Sequence, residues 1–381
     1  MKKKYCLLFD VAFVSYLLWG CLRDSEIDLP ILAKFIWYLS LIFSCVSILL
    51  RRTLNIWKKI LFVLLVGFAV YYKQIHFNTF VLPMVLLIFA ADGININHIV
   101  KVLLYTTFVS TIVVILLSLL GTIPDKVTYH KIGFNEFPAH SFGFIYYSFF
   151  AFRFMTVVIS LLYLKRSKSN VPFLIFLVVV SFLGYYLSYT RLQLAVCLSF
   201  FILYIIVYKL SLVSFKLTLW KYLAIISYPI AFIIYITLPF ASYVSEDFLD
   251  LWNEYLSGRM ALTVKAFLDY PPTLWGNVVE MVGAVQAETS TEQYFYIDSG
   301  YAFWIIVYGI FFTFLILTIF SVVFYRAYKT NNKFLYLWCL VFAFVNLVND
   351  FFTYSYFSPL ALLLFADLNE KSRKRLIKYH A

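Results

Sequence analysis

Charge is what this chain has little of. Across 381 residues only 13% are Asp, Glu, Lys or Arg, and the acids are the scarcer half, 19 against 31. A water-soluble domain carries about 25% charged residues, so a soluble globule of this length is excluded. Cysteine is sparse as well. Cys6, Cys21, Cys45, Cys197 and Cys339 are scattered through apolar stretches with no CxxC or CxxH spacing. That pattern indicates neither a disulfide framework nor a metal site, and no cofactor is expected. No repeat of fixed period and no low-complexity linker interrupts the chain.

What is abundant is apolar surface: 63% of residues are hydrophobic and 21% aromatic. The apolar runs are long and numerous enough for a polytopic membrane protein. About twelve spans are expected, at roughly 5–22, 31–50, 60–73, 77–91, 99–121, 142–164, 171–188, 192–208, 219–239, 299–324, 334–349 and 355–368. The expected fold class is therefore all-α, one membrane domain over 1–381, with several short, tightly turned spans that tilt or re-enter. The basic start at Lys2–Lys4 has no small-residue cleavage site near Gly20–Ile27, which makes the first run a retained helix.

The net charge of +12 is a topology code, not a nucleic-acid signal. Most Lys and Arg fall in short loops between apolar runs, such as Arg51/Arg52 and Lys165/Arg166/Lys168, or in the stretch Lys371–Lys378 after the last run. By the positive-inside rule these loops and both termini are cytoplasmic, and the basic tail can touch anionic lipid heads. Two loops on the other side have content. One is about 122–141. The other, 240–298, is the longest connection and is expected as a large extracytoplasmic loop. Its carboxylates are Glu246, Asp247, Asp250, Glu254, Asp269, Glu280, Glu288, Glu292 and Asp298, against Arg259 and Lys265. Residues 254–268 carry a helical apolar face of Leu256, Met260, Val264, Phe267 and Leu268, and Pro271–Pro272 stops that helix.

Three arginines stand apart from the basic loops. Arg191, in LSYTRLQLAV, opens a span on the outer side. Arg259 sits in the large loop. Arg153 lies within a span, where a full charge is costly without a polar cavity or a carboxylate partner such as Asp350 or Asp10. A guanidinium keeps its charge and matches phosphate oxygens with two parallel donors. These positions therefore suggest an anionic ligand at the outer face, weighed against a snorkelling role for Arg191 and a surface role for Arg259. His130 and His140 flank the first outer loop; their spacing is poor for a metal and leaves a substrate hydrogen bond or an ordinary loop position. Asp298 precedes a span as either an N-cap or a general base. Trp252 and Trp275 are candidates for stacking on sugar rings.

Four stretches occur in one order: HKIGFNEFPAH (130–140), LSYTRLQLAV (187–196), LSGRMALTVKAFLDYPPTLWGN (256–277) and DSGYAFWIIVYGIFFTF (298–314). Together they resemble the Wzy-type polysaccharide polymerases, which are related to O-antigen ligases. The match rests on Ser188-Tyr189-Thr190-Arg191, on Gly258-Arg259 with Pro271/Pro272 and Gly276, and on Asp298-Ser299-Gly300-Tyr301 with Tyr308-Gly309. Two positions depart from the pattern. Asp298 stands where ligases carry His, and Glu136-Phe137-Pro138-Ala139-His140 replaces the usual Pro-Asn.

The resemblance implies a glycosyl transfer at the outer face of a bacterial plasma membrane. Oligosaccharide repeat units linked to undecaprenyl diphosphate would be donor and acceptor, and the lipid diphosphate would leave. It implies membrane lipids as surroundings, a flippase and a chain-length regulator as partners, and no nucleic acid. Arg191 and Arg259 would bind the diphosphate and Asp298 would be the base. Arg153, His130, His140 and Tyr301 would contact substrate. A ligase shares nearly all these motifs. A flippase would show symmetric halves in place of one large loop. A membrane acyltransferase would need a histidine pair on the inner side, whose loops hold only His98.

Overall fold

A computed structural model describes residues 2–50, 55–75, 79–132, 135–210, 218–241, 258–283, 293–350 and 354–369. Among these the chain is mostly helical, with one antiparallel hairpin and irregular stretches such as 270–283 and 293–299. Eight helical segments are long and apolar enough to cross a membrane. They are α1 (Lys2–Arg23), α2 (Pro30–Leu49), α5 (Ile96–Leu119), α6 (Tyr147–Lys165), α7 (Val171–Ser188), α8 (Arg191–Tyr204, continued by a π-helical turn Ile205–Lys209), α9 (Thr218–Ala241) and a broken helix over Gly300–Lys329. The remaining elements are α3 (Ile56–Ile75), α4 (Val81–Ala90), β1 (Val127–Ile132), β2 (Asn135–His140), α10 (Arg259–Asp269) and α13 (Lys333–Val345). The broken helix comprises α11 (Gly300–Phe303), a π-helical turn Trp304–Tyr308 and α12 (Gly309–Lys329). This is an all-α membrane protein in outline.

Four expected spans fall outside these eight segments: α4 and α13 are apolar but only 10 and 13 residues long, and two others differ in kind. Helix α3 has spanning length but carries Lys58, Lys59 and Lys73. The apolar run 355–368 contains only a short 3₁₀ turn, Leu360–Leu364, and is almost wholly buried. Irregular backbone is tolerated at membrane depth only where protein covers it and satisfies its polar groups. Here Arg326 donates to the carbonyls of Leu363, Leu364 and Ala366, and Thr156 Oγ1 donates to that of Phe357.

Local chemistry sets the helix ends. Asn95, Asn170 and Asn332 accept bonds from the backbone N–H of Asn97, Phe173 and Leu335, satisfying first-turn donors. Pro30 and Pro172 sit in first turns, where a missing N–H is harmless. Lipid tails are as apolar as leucine, so close packing and interhelical hydrogen bonds, not water exclusion, hold such helices together. The core is accordingly aromatic, with Trp338 among Tyr163, Phe200, Phe334 and Phe342. Outward faces expose Ile31, Leu49, Trp57 and Phe314.

Polar contacts sort to the two ends of the bundle. At the end bearing the basic loops, Lys58 pairs with Asp92, His98 with Asp10, and Arg166 bonds Asn97. At the opposite end Arg153 pairs with Asp24, Lys126 with Glu26, His140 with Asp125 and Arg259 with Asp298.

Candidate functional site

The large loop begins its described part at Gly258, which caps α10 in a left-handed conformation, φ +78°. Helix α10 is shorter than the expected 254–268 helix. It buries Met260, Thr263, Ala266 and Phe267 and leaves Leu268 exposed. Leu256 lies outside the described residues. Thr263 Oγ1 meets Tyr235 Oη at 2.9 Å, fixing α10 on α9. This docking turns Arg259, the first residue of α10, toward the start of α11.

There Arg259 Nε lies 3.2 Å from Asp298 Oδ2. Asp298 precedes the cap Ser299, whose Oγ accepts from Ala302 N–H and donates to Asn346 O at 3.2 Å. Gly300 N–H donates to the same carbonyl at 3.0 Å. The cap is thus Ser299, and the Asp298 carboxylate is left for Arg259. Among the described residues nothing engages the two terminal nitrogens of Arg259.

A ring of polar groups surrounds the pair. Tyr147 of α6, Tyr235 of α9 and Tyr294 lie within electrostatic reach of both members. Asp350 follows Asn346 and Asn349, which crowd Gly300. It is 1% exposed, and neither carboxylate oxygen has a hydrogen-bond partner among the described residues. Burial pushes the Asp350 carboxyl well above the usual carboxylate range, and the negative charge of Asp298 pushes it further. Burial also raises Asp298 above its ordinary value, while Arg259 partly holds it down. Tyr296 feels Asp350 most strongly, then its own burial, and its hydroxyl is raised. Arg23 is exposed at the end of α1, stacks over Phe80 at 3.8 Å, and its charge reaches Asp350 and Tyr296. It also lines a cleft of about 420 Å³ with Glu26, Asp28 and Lys126.

The structure gathers some of the expected residues and disperses others. Arg259 and Asp298 meet. Arg191 is exposed at the start of α8, at the same end, but no bond or ion pair joins it to them among the described residues. Beside it Tyr189 is left-handed, φ +52°, and stacks on Phe137 of β2 at 4.8 Å.

Arg153 lies in a buried ion pair. It and Asp24 are each 1% exposed and meet at 2.8 Å, Nη2 to Oδ2. A buried guanidinium requires such a counter-charge, and Asp24 supplies it in place of Asp350 or Asp10. Asp10 instead binds His98. Tyr301, expected at substrate, is fully buried and donates its hydroxyl to Ala343 O at 2.7 Å. His140 Nδ1 lies 2.6 Å from Asp125 Oδ2 and fastens the hairpin base. The His130 backbone pairs with Phe137; its side chain, with Trp252, Glu288 and Glu292, lies outside the described residues. Trp275 packs on Phe68, Tyr71 and Phe311, and its carbonyl accepts from Tyr72 Oη at 2.5 Å.

The loop motif and the span motif also touch through backbone hydrogen bonds. Ile310 and Phe311 N–H donate to the Thr273 and Leu274 carbonyls, and Asn277 N–H donates to Ile306 O. The loop therefore replaces the helical bonds that are lost where α11 breaks from α12.

No family model matches this chain, and neither curated proteins nor solved structures yield a match.

Two residues at this site escape a sequence reading. Arg23 obeys the same charge-sidedness argument that singles out Arg191, so that signal was present. Asp350 lies in an apolar run where nothing in the sequence distinguishes a site carboxylate from a counter-ion.

Proposed function

We propose that this protein joins undecaprenyl-diphosphate-linked oligosaccharide repeat units into a surface polysaccharide at the outer face of a bacterial plasma membrane. In this reading the chain makes twelve passages, counting α3, α4, α13 and the irregular segment 354–368, with both termini cytoplasmic. The observation that carries the reading is the Arg259–Asp298 pair. It joins a cation from the large loop to a carboxylate at the mouth of a span, on the end away from the basic loops.

The roles follow from the chemistry. The acceptor sugar hydroxyl gives its proton to Asp298 as its oxygen attacks the anomeric carbon of the donor. The bond from that carbon to the diphosphate oxygen breaks, and the electron pair leaves with undecaprenyl diphosphate. Charge develops on that leaving group, and preorganised cations stabilise it. The terminal nitrogens of Arg259 serve this purpose, with Arg191 and the exposed Arg23 as further diphosphate contacts. Asp350, held in its neutral form by burial and by the charge of Asp298, leaves Asp298 as the carboxylate that ionises first. A flippase supplies the substrate, and a chain-length regulator is the natural partner.

The experiment is deletion of the gene, followed by extraction and sizing of lipid-linked glycans. Accumulation of a single lipid-linked repeat unit without polymer supports the reading. Full-length polymer retained on undecaprenyl diphosphate points to a ligase instead. Repeat units trapped on the inner leaflet point to a flippase.

A further inference from the structure

At the end of the bundle away from Arg259 and Asp298, three side chains of different chemistry meet on one nitrogen. Cys6 and Asp10 are one helical turn apart on the same face of α1. His98 lies in the first turn of α5, held there by the Asn95 cap. Cys6 Sγ is 3.3 Å from His98 Nε2, and Asp10 Oδ1 is 2.6 Å from that same atom. The three ligand atoms lie within 4.8 Å of one another. All three residues are partly exposed, so the cluster is open to solvent.

A hydrogen-bonded histidine accounts for only part of this. A ring nitrogen carries at most one proton, so Nε2 must share it between a carboxylate and a thiol. A cation at the centre of the three atoms would satisfy all of them at once. Tetrahedral zinc, with Zn–S about 2.3 Å and Zn–N about 2.0 Å, sets S···N near about 3.5 Å and N···O near about 3.3 Å. The observed distances reach those values with side-chain shifts under about 1 Å.

We propose that Cys6, Asp10 and His98 form a binding site for a divalent transition metal of the zinc class. Thiolate and imidazole select such ions over magnesium or calcium, which prefer all-oxygen shells. Three protein ligands leave a fourth position for water. A thiolate and a carboxylate together neutralise the ion, which suits the edge of a low-dielectric bundle. The metal would staple α1 to α5 at the basic end, independently of any glycosyl transfer. The i, i+4 Cys–Asp spacing and the distant histidine match no metal motif, so sequence spacing alone misses the site.

The test uses the full chain purified in detergent, stripped with chelator and titrated with Co²⁺. The expected result is a near-ultraviolet thiolate-to-cobalt absorption that saturates at one ion per chain and is displaced by Zn²⁺. Cys6→Ser abolishes that absorption. Asp10→Asn and His98→Gln weaken Co²⁺ binding at least about tenfold, the loss already produced by removing a supporting outer partner. No cobalt spectrum in monodisperse wild-type protein overturns the proposal, whatever the variants do. So does equal Co²⁺ affinity in wild type and all three variants, which would mark adventitious binding.

Discussion

Gly276 and Gly309 cross with no room for a side chain on either. A Cβ on Gly276 would lie 2.1 Å from Val307 O, and one on Gly309 would lie 2.3 Å from Gly276 N. Both glycines are left-handed, at φ +86° and +84°. The crossing lets the large loop supply the carbonyls that α12 lacks at its start, and so fastens the loop to the broken helix.

Gly276→Ala or Gly309→Ala is therefore expected to destabilise the protein by about 3 kcal/mol or more. Gly67→Ala is the control: Gly67 lies within α3 with nothing inside 4 Å of its Cβ position. That change should be neutral or stabilising by up to about 1 kcal/mol. Thermal unfolding in detergent, followed by loss of monodisperse elution, measures both.

Arg153 and Asp24 form a structural pair. Removing one partner strands a buried charge and costs about 3–5 kcal/mol, whereas apolar replacement of both is often tolerated. Arg153→Met alone should lose most folded protein. Arg153→Met with Asp24→Leu should recover it and retain polymer formation in complemented cells. A folded but inactive double variant would return Arg153 to the residues expected to contact substrate.

Much of this architecture is legible in the sequence, and the gaps have physical causes. The apolar runs announce the long spans because a bilayer demands continuous hydropathy. Run 355–368 reads equally well as a helix. Tertiary donors, among them Arg326, Thr156, Gly93, Ile96 and Asn332, allow it to be irregular, and those contacts have no local signal. Arg153 is conspicuous as a buried charge, yet its partner Asp24 sits beside Arg23 and reads as a surface neighbour. Arg259 and Asp298 were each marked by their motifs; their meeting depends on how α10 docks against α9 through Thr263 and Tyr235. His98 looked isolated because its companions come from α1.

The Asp350 carboxyl is raised by burial and by Asp298. A group raised in the folded state adds stability below its unfolded value, about 3.9, and loses it as pH rises through the folded value. Asp350→Asn removes that dependence. The variant should melt at least about 2 °C above wild type near pH 8, with the gap closing toward about pH 4. A constant gap across that range would show that Asp350 does not titrate as described.

Asp298 must be ionised to accept a proton, and its carboxyl is raised by burial. The acid limb of polymerisation should therefore lie above about pH 4, the ordinary carboxylate range. Below it the initial rate should fall about tenfold per pH unit. Initial rates in proteoliposomes across the acid range test this, with circular dichroism verifying that the protein stays folded. A rate that is flat down to about pH 4 would remove Asp298 as the base.

The most direct measurement is in vitro polymerisation by purified Asp298→Asn protein, reconstituted with undecaprenyl-diphosphate-linked repeat units and compared with wild type by glycan size. The expected result is a ladder of polymer from wild type and unextended repeat units from the variant, with both proteins monodisperse. A normal ladder from Asp298→Asn would contradict the assignment of the Arg259–Asp298 pair as the catalytic centre.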